Sequence, residues 1–146
     1  MKKREIYILG IESSCDETSA AVLLNDQVLS NCIASQQIHK DYGGVVPELA
    51  SRAHQSNIIP VVEKSLFDAN IDKNMLSAVA YTNGPGLLGS LLVGSSFSKS
   101  VSLGLDVPLI TVNHMHAHLF ANFIRRSGLS QPNFPFLGVN ISGGHT

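Results

Sequence analysis

Three histidines stand at alternate positions in "TVNHMHAHLFANFI", residues 111–124. Neutral imidazole suits Zn²⁺ or Fe²⁺, so the first question is how many of His114, His116 and His118 can reach one ion. A strand would put all three on one face, and a helix would not. Met115, Leu119 and Phe123 recur every four residues, with Phe120 and Ile124 beside them, as one side of an amphipathic helix requires. Asn113 suits the N-cap of that helix. At roughly 100° per residue, His114 and His118 lie about 40° apart around the axis, and His116 points about 160–200° away from them. Only two of the three can share an ion. Taken alone, the pair is also what the polar first turn of a half-exposed helix looks like. A metalloprotease of the H-E-x-x-H type needs a glutamate after the first histidine, and Met115 stands there.

Two further stretches have the composition of ligand loops. "GIESSCDETSAAV", residues 10–22, places hydroxyls and the carboxylates Glu12, Asp16 and Glu17 between two apolar runs. Hydroxyls and backbone N–H groups there can line a phosphate, and a carboxylate can hold Mg²⁺ or a water. A polar hairpin turn explains the same residues. "NISGGHT", residues 140–146, repeats the plan, with Gly143 and Gly144 letting backbone approach a ligand. "TNGPG" follows an apolar run, at the kind of strand end where open sheets bind ligands.

The elements that must position these residues follow from pattern. Residues 5–11, 19–25 and 27–35 read as three strands, the last two joined at Asn25 and Asp26 in a hairpin. Gly43 and Gly44 make a loop, and Pro47 with Glu48 marks the first turn of a helix that Pro60 should kink or divide. Residues 76–82 form a fourth strand, 87–104 a helix rich in Gly and Ser, and 107–112 a fifth strand before the histidine helix. "RSGLSQPNFP" reads as a connection between domains, and 136–142 as one more strand. Three antiparallel strands followed by helix, strand, helix, strand, helix make a mixed-sheet α/β domain. The order matches the ribonuclease-H-like half-unit of the actin/hexokinase/Hsp70-like ATPases. Residues 1–126 are then one domain, and 127–146 a linker with the first strand of a second such domain.

At 146 residues the chain can bury a core, and 44% hydrophobic against 14% charged residues excludes a disordered chain. Ten Lys and Arg against eleven Asp and Glu leave no cationic surface to grip nucleic acid unaided. No stretch has the length and apolarity of a membrane span. Two cysteines, Cys15 and Cys32, without an export signal fit a reduced cytoplasmic setting.

In this order and spacing, "GIESSCDETSAAV", "DYGGVVPELASRAH", "AYTNGPGLLGSLLVG", "VNHMHAHL" and "VNISGGHT" resemble the amino-terminal part of the TsaD family, the tRNA N(6)-adenosine threonylcarbamoyltransferases, formerly called glycoproteases. The resemblance covers essentially all 146 residues. It implies transfer of threonylcarbamoyl from threonylcarbamoyl-adenylate to the adenosine at tRNA position 37. It implies one divalent metal, Fe²⁺ or Zn²⁺, on His114 and His118, with a third ligand in a second half beyond residue 146. It also implies substrate contacts at Asn140, Ile141, Ser142, Gly143 and Gly144, with Glu12 and Asp16 near the adenylate. The implied partners are tRNA and the TsaB-like and TsaE-like proteins of the transfer complex. A chain of this length is then expected to be inactive by itself, and its strand 136–142 to pair with another copy or with the first domain. Two other readings differ in class: a catalytically silent paralogue serving as a scaffold, and the metalloprotease of the older name.

Overall fold

The structure, a computed structural model, describes residues 4–125 and 130–141. Alternation of buried and half-exposed residues builds three strands, β1 Tyr7–Glu12, β2 Glu17–Leu24 and β3 Gln27–Ser35. They form an antiparallel meander in which Leu24 faces Gln27 across the Asn25-Asp26 turn. Asn25 takes the left-handed conformation (φ 55°) that Asn tolerates better than most residues. β4, Leu76–Gly84, runs parallel to β1, and β5, Leu109–Asn113, parallel to β4, so the sheet order is β3-β2-β1-β4-β5. This is the mixed sheet expected of a ribonuclease-H-like half-domain.

Two long helices cover one face. α1, Pro47–Asp68, buries Ala50, His54, Ile58, Val61, Val62 and Ser65 at helical spacing. α2, Leu88–Leu105, buries Ser90, Gly94 and Ser98. Leu9, Ile11, Val22, Val79 and Tyr81 of the sheet meet Ile58, Val61 and Val62 of α1 in the core. The expectation that Pro60 breaks this helix is half corrected: α1 is continuous, with Pro60 inside it. Both Pro60 and Ser56 are exposed, so the Ser56 carbonyl that loses its N–H partner faces water. A 3₁₀ turn at Gln37–Tyr42, ended by Gly43 at φ 69°, precedes the glycine loop and has no clear signature in the sequence.

The histidine segment is helical, as its period predicts. α3, His114–Phe120, continues into a 3₁₀ turn at Ala121–Phe123. Beyond it, the strand expected at 136–142 is not formed among the described residues, which carry no strand from 130 to 141. A strand exists only by pairing, and among the described residues this segment pairs with none of the five strands. It lies instead against α3: Phe123 stacks on Phe134 at 5.3 Å and meets Phe136 edge-on at 5.2 Å. A Cβ on Gly138 would stand 2.8 Å from Leu119 Cδ2.

Candidate functional site at the carboxyl edge of the parallel strands

Because β1, β4 and β5 run the same way, their carboxyl ends emerge along one edge, the place where open sheets gather ligands. The registers Ile11 with Tyr81 and Thr82 with Val112 bring Glu12, Thr82 and Asn113 to that edge together. The Asn113 side chain accepts the N–H groups of Met115 (2.9 Å) and His116 (3.2 Å), so the cap starts α3 where the sequence places it.

One helical turn then sets the two outer histidines side by side. The rings of His114 and His118 are 4.6 Å apart and nearly perpendicular, with their Nε2 atoms 3.0 Å from each other. His116 is exposed, away from the pair. Behind His114 stands Glu12, whose Oε2 is 3.3 Å from Nδ1, and Ser14 Oγ lies 3.2 Å from the same nitrogen. A carboxylate only accepts, so the ring hydrogen belongs on Nδ1 and the Nε2 lone pair faces His118.

Glu12 is itself held. It accepts hydrogen bonds from the Ser14 N–H and from the Thr82 hydroxyl. Burial pushes its carboxyl upward, but the bonds from Ser14, Thr82 and His114 outweigh burial and hold it below the usual carboxylate range. A carboxylate so placed is a weak proton acceptor. Glu12 thus stands where a carboxylate orients the His114 imidazole.

The loop between β1 and β2 is pressed against α2. The Leu87 N–H donates to the Ser14 carbonyl at 2.7 Å, and Ser13 Oγ donates to the Ser90 carbonyl at 2.9 Å. Side chains would not fit here: a Cβ on Gly86 would fall 2.7 Å from Ser14 Cβ, and one on Gly94 3.2 Å from Ser13 Cβ. In front of the histidines, a groove of 480 Å³ runs across the uncovered face of the sheet past Gly10, Ala21, Ile33 and Val112.

Of the residues singled out in the sequence, Glu12, His114 and His118 come together. Asp16 stands further along the loop, beside Cys15. Asn140 is half-buried, with its Nδ2 lacking a hydrogen-bond partner, and Ile141 is exposed. Ser142, Gly143 and Gly144 lie outside the described residues. No group of three or more His, Cys, Asp or Glu side chains among the described residues is gathered for a metal ion. Sequence reasoning missed Thr82 as a partner of Glu12, although a threonine at the end of a strand just before "NGPG" was the available signal.

Known proteins are similar to this chain in sequence and in fold. The sequence profile of TsaD, described as tRNA N6-adenosine threonylcarbamoyltransferase, matches residues 27–146. Curated proteins of that name from Christiangramia forsetii and Porphyromonas gingivalis are 61% and 60% identical over 146 residues, which are 100% and 99% of this chain. The chain spans 43% of the length of each. Among solved structures, YeaZ from Pseudomonas aeruginosa shares the fold, with a TM-score of 0.60 and 19% identity over 74% of this chain and 44% of that one. With the profile matched from β3 to the last residue and the relatives identical at six positions in ten, this chain belongs to the TsaD family.

Proposed function

We propose that this chain supplies the first half of a site that transfers threonylcarbamoyl from threonylcarbamoyl-adenylate to the adenosine at tRNA position 37. The observation that carries the reading is the meeting of His114, His118 and Glu12 at one sheet edge, in a chain of this family. On the same reading, residues 1–126 are the first domain, and 127–146 lead into a second.

The donor set suits a divalent metal. Two imidazole nitrogens bound to one ion at about 2.1 Å stand roughly 3.0–3.4 Å apart, and the Nε2 atoms here are 3.0 Å apart. Iron and zinc both accept such ligands. A bound ion would supply Lewis acidity toward the carbamoyl carbonyl. Glu12 keeps the His114 hydrogen on Nδ1, so Nε2, the nitrogen turned toward His118, would be the one to face an ion. Asn140 Nδ2, without a hydrogen-bond partner among the described residues, would offer a donor to the adenylate, and the resemblance adds Ile141, Ser142, Gly143 and Gly144 to the same side. Asp16, on the loop that begins at Glu12, is the second carboxylate of the adenylate side.

Remaining ligands and the grip on tRNA come from outside these residues, so the 146-residue chain alone transfers little or nothing. TsaB-like and TsaE-like proteins are the proposed partners, in the cytoplasm. Ile59, Phe67, Leu92 and Leu103 of α1 and α2 are exposed and give a protein partner apolar surface. No helix among the described residues is long and apolar enough to cross a membrane.

The test joins this chain to the second half of the Christiangramia forsetii relative and measures metal content and threonylcarbamoyl transfer to tRNA. The chimera is expected to hold metal and to transfer. His114→Ala or His118→Ala is expected to remove the metal, and His116→Ala to leave it. A folded chimera that is metal-free and inactive, beside an active relative, would overturn the reading in favour of a scaffold.

A further inference from the structure

His54 is a titratable group with no solvent exposure, and nothing in the proposed chemistry uses it. It projects from α1 to the loop that joins β1 to β2. Its Nε2 is 3.0 Å from the Cys15 carbonyl oxygen, and its Nδ1 is 2.8 Å from Thr18 Oγ1, which is equally buried. A carbonyl accepts and never donates, so Nε2 carries the hydrogen. With the hydrogen on Nε2, the lone pair of Nδ1 accepts from the Thr18 hydroxyl. One imidazole thus ties a loop carbonyl and the start of β2 to α1. Ser90 Oγ donates to the same Cys15 carbonyl at 3.2 Å, and the Leu87 N–H to the preceding Ser14 carbonyl.

Two consecutive carbonyls are therefore drawn back toward α1 and α2. In a trans peptide the N–H points opposite to its C=O. The N–H groups of Cys15 and Asp16 consequently face away from the two helices, with the Asp16 N–H also within reach of the Cys15 sulfur. Adjacent backbone N–H groups turned to one side are suited to an anion.

We propose that His54 is a positioning residue, which by its Nε2–H bond to Cys15 holds the loop at 13–16 so that its N–H groups face an anionic ligand. The ligand class is a phosphate ester, and this rests on the reading of the loop as part of the adenylate site. The clamp itself rests only on the geometry of α1 and the loop.

Two substitutions separate the halves of the clamp. His54→Gln keeps an N–H near the place of Nε2 and so retains the Cys15 bond. His54→Asn keeps an amide near Nδ1 for Thr18 and loses Cys15. Hydrogen exchange of the 146-residue chain reads the loop directly, with AMP binding to the chimera as the second measurement. Loss of one buried hydrogen bond in His54→Asn is expected to speed loop exchange about tenfold or more, while His54→Gln stays within about threefold of the parent. Exchange in β3 and β4 is expected to be unchanged in both, and AMP affinity to fall in the Asn variant alone. Equal loop exchange in the two variants would overturn the clamp, as would acceleration spread over the whole sheet. An Asn/Gln split in exchange without any AMP binding by the parent chimera would leave the clamp standing and sink the adenylate reading.

Discussion

The two flanks of the site are built by opposite means. On the α2 side, the loop after β1 is fixed by backbone contact: Leu87 to Ser14, Ser13 to Ser90, and glycines at 86 and 94 where no side chain fits. On the α3 side, the histidines ride on a seven-residue helix that buries none of its residues and depends on one capping side chain. The first flank is set by close packing, whose tolerance is a fraction of an ångström. The second is set by a few polar contacts and stays adjustable. On the proposed reading, a site that holds a ligand loop still and lets two imidazole nitrogens adapt to an ion has reason to differ in this way.

That contrast can be broken from either side. The largest effect is expected at Gly86→Ala, where the new methyl group meets the Ser14 backbone. Overpacking of this kind costs about 1–3 kcal/mol, and urea unfolding would show it. Gly104→Ala, where a Cβ has open space, is the matched control within α2 and should cost nothing. If the two variants are equally stable, the loop is not held by close packing.

Glu12→Gln tests the adjustable flank. Losing the carboxylate behind a metal-binding histidine lowers metal affinity about 10–100-fold, so the chimera should need correspondingly more zinc for half-saturation. Unchanged affinity would show that Glu12 does not orient His114. Asn113→Ala removes the cap of α3 and is expected to cost about 1 kcal/mol. The loss should appear as faster amide exchange at Met115 and His116 and leave β1 to β4 protected.

The smallest effect is expected far from the site, at the exposed pair of Lys64 and Asp68, 2.7 Å apart. The hydrogen bond from Lys64, and a second from Cys32, hold the Asp68 carboxyl below its ordinary value. A depressed folded-state pKa stabilises above the unfolded carboxylate value, and that contribution fades as pH falls through the folded one. Asp68→Asn should therefore have a slightly lower urea midpoint than the parent at neutral pH and converge with it in acid. A difference that persists in acid would assign the effect to packing.

Much of the frame could be read locally. The Asn25-Asp26 hairpin, the start of α1 at Pro47 and the Asn113 cap depend on a few neighbouring residues, and all three stand where their signals put them. Pro60 does not divide α1, because the Ser56 carbonyl that it leaves without an N–H partner lies on the exposed face of the helix. The segment at 136–141 misled because apolar alternation marks a strand only when a neighbouring strand is present to pair with it. The place of Thr82 before "NGPG" marked a strand end, but neither it nor the helical His54 reveals by type which residue 70 or 39 positions away it meets.

By itself, the sequence determined which residues share a helix face: the four-residue spacing of His114 and His118 is a property of the α-helix, independent of everything around it. It could not say what stands behind them. Glu12 reaches His114 across 102 residues and Thr82 reaches Glu12 across 70. Those meetings exist because β1, β4 and β5 are parallel and in one register, and register is settled only when the sheet and its two covering helices pack together.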